Sequence, residues 1–177
     1  MKKYKTLLVD PPWQYRNKKT GGSMVSGSAQ KYDTLSIEEL CALRIDKITA
    51  KDCVLFLWVT CPMTPEAVRL IDAWSFKFKT KIYWRKIMSL GMGYYFRGQV
   101  EELWVCVKGK VKAFRCQKPN FLQTKALKHS EKPTEIFDWI EPYAQKPRAE
   151  LFATRERIGW DCFGYEIDKK DIREMLR

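Results

Sequence analysis

The sequence has little with which to bind a metal or build a disulfide framework. Its single histidine is His129, and its six cysteines are scattered without a Cys-x-x-Cys pair. Structural zinc sites need thiolate and imidazole ligands at close spacing, and disulfide scaffolds need cysteines paired in a short secreted chain. We therefore expect no metal site and no disulfide framework, and we interpret His129 as a loop or hinge residue.

Long apolar runs are missing too. The longest ones, such as residues 54–59, fall far short of the about 20 apolar residues that a membrane-spanning helix needs. Lys2 and Lys3 are not followed by the apolar core of a signal peptide. We therefore expect a cytoplasmic protein with no membrane partner.

A dinucleotide-binding fingerprint is also absent. Gly91, Gly93 and Gly98 lack the G-x-G-x-x-G spacing, and they follow a basic loop rather than a predicted strand. The sequence thus argues against a nicotinamide cofactor.

Acidic residues are in short supply. The 21 Asp and Glu against 33 Lys and Arg leave a formal net charge of +12, which favours a polyanionic partner. Residues 77–97 contain six basic residues and no acid, and residues 108–132 contain eight basic residues and one acid. Aromatic residues interrupt both stretches, as in surfaces that contact phosphates and unstacked bases. The alternative, which we favour for Tyr83 and Trp84, is that the aromatics belong to the core. The candidate substrate contacts in these stretches are Tyr95, Lys110, Lys112, Arg115 and Lys118.

What the sequence does contain is an alternation of apolar strand patterns and helix signals. A length of 177 residues suits a single domain, residues 1–177. We expect Val68, Ile71 and either Leu70 or Ala67 to face inward from one of the helices. The predicted strands are residues 7–9, 53–59, 76–84, 102–107 and 149–153. Two helices are predicted to start at Ser36 and Pro133, and two more to cover residues 65–74 and 168–176. The predicted loops are residues 14–31 and 110–130. The alternation predicts an α/β fold with a mostly parallel sheet.

The most distinctive segment is Thr-Leu-Leu-Val-Asp-Pro-Pro-Trp at residues 6–13. A short, continuous apolar run bounded by proline is typical of a strand covered on both faces. Asp10 would then lie at the carboxyl end of that strand, where open α/β sheets bind ligands. Because proline lacks a backbone N–H, the corner would offer a carboxylate and unpaired carbonyl oxygens beside an aromatic ring. Such a corner suits a planar ligand with an amino group; the alternative is an ordinary Asp-Pro turn.

Six motifs in a fixed order resemble one known family. They are DPPW (10–13), YDTL (32–35), LFLWVT (55–60), IYWRK (82–86), HSEKPTEIF (129–137) and ELFA (150–153). The series is similar to the adenine N(6)-methyltransferases of the seventy-kilodalton-subunit family, and the likeness extends over residues 6–167. It implies a Rossmann-like, S-adenosylmethionine-dependent methyltransferase fold in permuted motif order, with the catalytic strand first.

The resemblance also implies a reaction, in which a methyl group is transferred to the exocyclic N(6) amine of adenine. We favour DNA as the substrate, with RNA or a catalytically silent nucleic-acid-binding partner subunit as the alternatives. Asp10 and the Pro11 carbonyl would grip the target amine, and Pro12 and Trp13 would complete the catalytic motif, with Trp13 at the wall of the base pocket. Tyr32 and Trp58 are further candidate substrate contacts.

Lys132 matches the family lysine that contacts the methionine carboxylate of the cofactor. Its position gives an independent reason for a bound anion. A cation just before a predicted helix opposes the helix dipole, whereas an anion there would meet both the ammonium and free backbone N–H groups. The alternative is a lysine that merely extends into solvent. The remaining candidate cofactor contacts are Asp10, Phe152, Thr154, Arg155, Tyr165 and Glu166.

Two of these candidates depart from the family pattern. Thr154 stands where an arginine often follows ELFA, and Tyr165 stands where an asparagine is frequent. Glu166 still suits a ribose, because a carboxylate can accept two hydroxyl hydrogens. We expect nucleic acid as the partner, together with a second copy of the chain or a partner subunit, in a bacterial or phage-infected cytoplasm.

Overall fold

The computed structural model describes residues 1–15, 34–87, 95–125, 131–167 and 172–176. Its strands are β1 (Tyr4–Val9), β2 (Thr49–Thr60), β3 (Lys77–Ile87), β4 (Val100–Lys108), β5 (Phe121–Lys125), β6 (Arg148–Leu151) and β7 (Asp161–Phe163). Its α-helices are α1 (Ile37–Ala42), α2 (Thr64–Ala73), α3 (Glu135–Ile140) and α4 (Ile172–Leu176), with short 3-10 turns at Ile45–Lys47 and Cys61–Met63.

The strands of the described residues form one sheet in the spatial order β5-β3-β4-β2-β1-β6-β7. Strand β4 is antiparallel to both of its neighbours, and the other neighbouring pairs are parallel. The predicted α/β fold with a mostly parallel sheet is therefore confirmed. All strands except β4 end on the same side of the sheet, where β4 begins. We call this side the carboxyl end and the other side the amino end.

Strand β1 lies inside the sheet, parallel to β2 on one side and β6 on the other. Leu7 and Leu8 are buried in the cores on opposite faces of the sheet. This confirms the predicted strand covered on both faces. Because Val9 is in register with Leu57 of β2 and Leu151 of β6, Asp10 leaves the sheet at the carboxyl end, between two flanking strands.

Helices cover both faces of the sheet. Helix α1 begins after the N-cap Ser36, where its start was predicted, and the Ser36 side chain forms a capping box with Glu39. Helices α1, α2 and α4 pack on the face of Leu7, and α3 packs on the face of Leu8. The sheet is thus covered on both faces by apolar cores, and its carboxyl end lies at the edge of both cores.

The inward face of α2 differs by one residue from the prediction. Ala67, Leu70 and Ile71 are buried as expected, but Val68 is 45% exposed. The buried positions follow i, i+3, i+4 spacing, and Val68 lies outside that stripe. The expectation that Val68 faces inward is wrong.

Two short strands were not predicted from the sequence. Strand β5 lies in the predicted loop of residues 110–130, and β7 lies between the last predicted strand and the predicted C-terminal helix. β5 has five residues and β7 has three, so neither is long enough to show a clear period-two pattern. His129, most of the predicted loop 14–31 and the start of the predicted helix 168–176 lie outside the described residues.

Within the described ranges, no helix is long and apolar enough to cross a membrane. The same ranges contain no group of three or more His, Cys, Asp or Glu side chains that could hold a metal ion.

Candidate active site

The carboxyl end of the sheet brings together residues that are far apart in sequence. Asp10 follows β1, and Thr60 ends the neighbouring β2. Glu101 of β4 lies opposite Thr60 on one side and Trp84 of β3 on the other. The antiparallel direction of β4 places its first residues here, because a parallel strand would bring only its last residues to this end.

Four charged side chains form a connected series at this end. Lys132 Nζ lies 2.8 Å from Asp10 Oδ2 and 3.2 Å from Glu101 Oε2. Glu101 Oε1 in turn pairs with Lys86 Nζ. The side chains of Lys132 and Glu101 are only 16% and 13% exposed. Buried charges require partners, and the alternation of cation and anion supplies one to each.

The indole rings of Trp58 and Trp84 pack against the two lysines of this series. Lys132 Nζ lies 5.5 Å from the centre of the Trp58 ring, and Lys86 Nζ lies 4.8 Å from the Trp84 ring. The two rings meet edge to face with centroids 5.9 Å apart. The ring faces attract the ammonium groups and keep water from them, so both lysines are held in place from below.

The series sets the protonation of its members. Burial raises the pKa of the Asp10 carboxyl, against the opposing charge of Lys132. Burial also disfavours the Lys132 ammonium, but the charges of Asp10 and Glu101 outweigh it and raise the pKa of Lys132 above its usual value. For Glu101 the charges of Lys132 and Lys86 outweigh burial and lower its pKa. Lys132 and Glu101 are therefore ionised at neutral pH, and burial makes the Asp10 carboxyl easier to protonate than an ordinary aspartate.

The proline corner is more fully hydrogen-bonded than the sequence suggested. The Trp13 backbone N–H donates to the Pro11 carbonyl at 2.8 Å, and the Leu35 N–H donates to the Pro12 carbonyl at 2.9 Å. The expectation of unpaired carbonyls is therefore wrong. Each carbonyl oxygen has a second lone pair, so Pro11 can still accept a hydrogen bond from a ligand. The roles of Asp10, Pro11 and Pro12 in catalysis stay predictions.

Trp13 is fixed in the core below the corner. Its ring is buried, and its Nε1 donates to the Trp58 carbonyl at 3.2 Å. This bond ties the residues after β1 to the end of β2. Two residues further on, the Tyr15 hydroxyl lies 2.7 Å from Thr60 Oγ1 and makes a second tie. The placement of Trp13 at a base-pocket wall stays a prediction, and the residue is only 5% exposed.

The candidate cofactor contacts follow β6 and β7 at the same carboxyl end. Phe152 adopts a left-handed backbone conformation with φ of 60° directly after β6. Next to it, Ala153 N–H donates to the Phe163 carbonyl. A Cβ at Gly164 would lie 2.0 Å from the Ala153 carbonyl oxygen, so this close approach requires glycine. The chain after β6 is therefore held tightly against the chain after β7.

The side chains beyond this contact are open to solvent. Thr154 and Glu166 are exposed, Tyr165 is 70% exposed, and Arg155 pairs with Glu131 at 2.9 Å. Glu131 immediately precedes Lys132, so the Arg155 pair links the chain after β6 to the lysine of the series. The assignment of these residues to cofactor binding stays a prediction.

A second buried ion pair lies behind this segment. Arg157 Nε is 3.2 Å from Glu150 Oε2, with both side chains less than a fifth exposed, and the Arg157 guanidinium covers the Phe137 ring. Burial raises the pKa of Glu150 against the charge of Arg157. This pair joins β6 to α3 and holds the helix that follows Lys132.

The candidate substrate contacts are spread over different parts of the molecule. Trp58 is only 2% exposed and supports Lys132 from below, whereas Tyr95 is fully exposed. Lys110 lies at the amino end, because the antiparallel strand β4 ends there at Lys108. The Lys110 backbone N–H donates to Asp52 Oδ1 at the same end. Tyr32 lies outside the described residues. Lys112, Arg115 and Lys118 are exposed on the crossing from β4 to β5. Contact of these residues with a substrate stays a prediction.

Sequence reasoning missed three members of the site. Glu101, Lys86 and Tyr15 were not singled out, although Lys86 ends the IYWRK motif. The available signal for Glu101 was the pair of adjacent acids that opens an apolar strand in a region otherwise dominated by cations. Which of the two acids faces Lys132 depends on the register of β4, which the sequence does not show.

Comparison with known proteins gives the family. The sequence matches the MT-A70 family over residues 4–166. The chain belongs to this family. The identification made from the six motifs is confirmed, and with it the assignment of the protein as a methyltransferase.

Individual relatives agree with the family. The Type II methyltransferase M.MunI of Mycoplasma sp is 34% identical over 97% of this chain and 81% of its own length. The N(6)-adenine-specific methyltransferase METTL4 of Mus musculus is 27% identical over 95% of this chain, and the one of Homo sapiens is 24% identical. The chain spans only 38% of the length of either METTL4 protein.

Proposed function

We propose that this MT-A70 protein transfers a methyl group from S-adenosylmethionine to the N(6) amine of adenine in DNA, with Asp10 as the residue that grips the amine. The observation that carries the proposal is the placement of the Asp10 carboxylate 2.8 Å from the Lys132 ammonium, at the carboxyl end of a central parallel strand. The names of the relatives support adenine as the base, and the name Type II methyltransferase favours DNA.

The residues present fit an S-adenosylmethionine cofactor. Lys132 offers a mostly buried cation to a carboxylate, and Glu166 offers acceptors to ribose hydroxyls at the end of the neighbouring strands. The cofactor supplies a methyl group already activated on a sulfonium, so the protein needs no nucleophile of its own. The chain's contribution is then to position the amine and to receive its proton.

Asp10 can perform both tasks. Its carboxylate is 35% exposed, so one side remains open to a ligand while Lys132 holds the other. A hydrogen bond from the amine to Asp10, and a second one to the Pro11 carbonyl, would turn the nitrogen lone pair toward the methyl group. Alignment of this kind is worth up to roughly 7 to 11 kcal/mol. As the new N–C bond forms, the bond between the methyl group and sulfur would break and leave a neutral thioether. The nitrogen would become cationic and release a proton to Asp10 or to water.

The test is methyl transfer by the full chain with labelled S-adenosylmethionine and matched DNA and RNA oligonucleotides, followed by mass spectrometry of the nucleosides. We expect label on N(6) of adenine in DNA. We expect Asp10→Ala to lose transfer while it keeps the fold by circular dichroism, and Asp161→Ala at the amino end to keep transfer. Undiminished transfer by Asp10→Ala would refute the role of Asp10.

The same experiment separates the alternatives. Label in RNA alone would replace DNA by RNA as the substrate. Calorimetric titration that shows DNA binding without S-adenosylmethionine binding, together with no transfer, would favour a silent partner subunit.

A further inference from the structure

Glu101 joins the two lysines of the carboxyl end. Its Oε1 pairs with Lys86, and its Oε2 lies 3.2 Å from Lys132 Nζ. The Oε2 atom is buried and makes no hydrogen bond of normal geometry in the described structure. A buried carboxylate oxygen without a full hydrogen bond is costly, so this atom needs an explanation beyond the stability of the sheet.

We propose that Glu101 is a positioning residue for methyl transfer: it acts as the second counter-ion of Lys132 and thereby frees the Asp10 carboxylate to accept the substrate amine. The inference rests on the proposed function, because it gives Glu101 its part in that reaction through Lys132 and Asp10.

The need for a second counter-ion follows from the burial of Lys132. If Asp10 were the sole protein partner of Lys132, a hydrogen bond from the amine to the open side of Asp10 would weaken the attraction of the same carboxylate for a mostly buried ammonium. Leaving one member of a buried ion pair without its partner is strongly destabilising. With Glu101 Oε2 already 3.2 Å away, Lys132 can shift toward Glu101 as Asp10 engages the amine, and neither step leaves a bare charge.

Lys86 completes the arrangement by holding Glu101. It pairs with the other carboxylate oxygen, Oε1, and lies over the Trp84 ring. The charges then alternate in sign along the series Lys86, Glu101, Lys132 and Asp10. This alternation keeps Glu101 ionised and leaves its Oε2 facing Lys132.

The neighbouring acid provides a matched control. Glu102 is buried as well, and like Glu101 it pairs with a lysine of β3, here Lys81 at 2.9 Å. Because side chains alternate along a strand, Glu102 lies on the other face of β4, where Trp104 Nε1 donates to it. The two acids lie in the same strand, are both largely buried and both pair with a lysine of β3. They differ in that Glu101 faces Lys132 and Glu102 lies on the opposite face.

The experiment compares Glu101→Gln with Glu102→Gln in the full chain. We expect Glu101→Gln to lower kcat by about tenfold or more, as expected for a misplaced reacting group, with the KM for DNA little changed. Glu102→Gln should keep kcat close to wild type. Glu101→Asp retains the charge and should recover part of the lost kcat.

The pH dependence gives a readout that loss of structure alone would not give. Asp10 is faced by several charged or titratable groups: Lys132, Glu101, Lys86, Tyr15 and Glu150. The negative charge of Glu101 raises the pKa of Asp10, and the positive charge of Lys132 lowers it. Removal of the Glu101 charge leaves the effect of Lys132 unopposed, so the pKa of Asp10 should fall. The acid limb of the kcat profile should then move to lower pH, and carboxyl carbon NMR, with Asp10 assigned through Asp10→Asn, should show the same direction without any substrate.

The outcomes are distinct. An unchanged titration of Asp10 together with wild-type kcat in Glu101→Gln would overturn the role of Glu101. Absence of transfer by the wild-type protein would instead count against the proposed function. Equal losses of kcat in Glu101→Gln and Glu102→Gln, without a shift of the acid limb, would reduce Glu101 to a structural residue.

Discussion

The two ends of the sheet carry ion pairs of similar composition in very different surroundings. At the amino end, Lys2 Nζ lies 2.6 Å from Asp161 Oδ2, and the two side chains are 55% and 41% exposed. At the carboxyl end, Lys132 and Glu101 lie farther apart, at 3.2 Å, but both are nearly buried. Distance alone would rank the amino-end pair as the stronger.

Solvent reverses that ranking. An exposed pair is screened by water and contributes little, whereas buried charges depend on each other because neither can be left without a partner. The amino-end pair joins a residue before β1 to the first residue of β7, an edge strand of the sheet. The members of the carboxyl-end series lie directly after β1, in β3 and β4, and in the segment before α3, and the Trp58 and Trp84 rings pack against its two lysines. The comparison therefore locates the sensitive chemistry at the carboxyl end.

The largest expected difference comes from removing one lysine at each end. Lys132→Gln leaves Asp10 and Glu101 without their shared cation and should lower the free energy of unfolding by about 3 kcal/mol, the lower end of the range for broken buried pairs because Asp10 is partly exposed. Lys2→Gln should cost no more than about 1 kcal/mol. Urea unfolding of the two variants at pH 7 measures both values.

Cofactor binding provides the second half of that comparison. Lys132→Gln should also lose most of its calorimetric affinity for S-adenosylmethionine, and Lys2→Gln should retain it. Equal stability losses in the two variants would show that burial does not distinguish the two ends.

An effect of intermediate size is expected in the pH dependence of stability. The charges of Lys132 and Lys86 hold the pKa of Glu101 below its ordinary value of 4.5. Its stabilisation is complete above that value and is lost as the pH falls through the lower pKa of the folded state. The difference in unfolding free energy between wild type and Glu101→Gln should therefore be largest near neutral pH and shrink in acid.

Asp161 supplies the amino-end counterpart. Hydrogen bonds from Lys2 and Tyr4 lower its pKa as well, so the sign of its pH dependence is the same. Because the pair is exposed, Asp161→Asn should produce a smaller pH-dependent difference. Urea unfolding between pH 7 and pH 3 checks both variants, and a flat difference for Glu101→Gln would contradict the buried series.

The sequence predicted the parts of this contrast that depend on local pattern. The apolar run before Asp10 identified β1, and Ser36 identified the start of α1. Lys132 was identified by its match to the family motif at residues 129–137, and a cation before a helix, which opposes the helix dipole, gave an independent reason. Each of these signals lies within a few neighbouring residues, so a single sequence can show it.

The parts that were missed depend on how distant strands align. Glu101 belongs to the site because β4 runs antiparallel and in register with Thr60 and Trp84, and the same direction carries Lys110 to the amino end. Strand direction is a long-range property, since it depends on which strands become neighbours. The hydrogen bond that occupies the Pro12 carbonyl likewise comes from a distant residue, Leu35, whereas the bond from Trp13 to the Pro11 carbonyl is local and was missed.

The smallest effects are expected for the exposed cations on the crossing from β4 to β5. Each lysine that contacts a phosphate releases about one counterion, so its loss should reduce the slope of log affinity against log salt by about 1. We expect this for Lys112→Gln and Lys118→Gln, with kcat at saturating DNA unchanged, because neither residue belongs to the buried series. Fluorescence anisotropy with a labelled duplex over a range of salt concentrations measures the slopes.

Lys2→Gln is the control and should keep the wild-type slope. An altered kcat at saturating DNA in Lys112→Gln or Lys118→Gln would mean that the crossing from β4 to β5 affects Asp10. The functional separation between the buried series and the exposed cations would then be wrong.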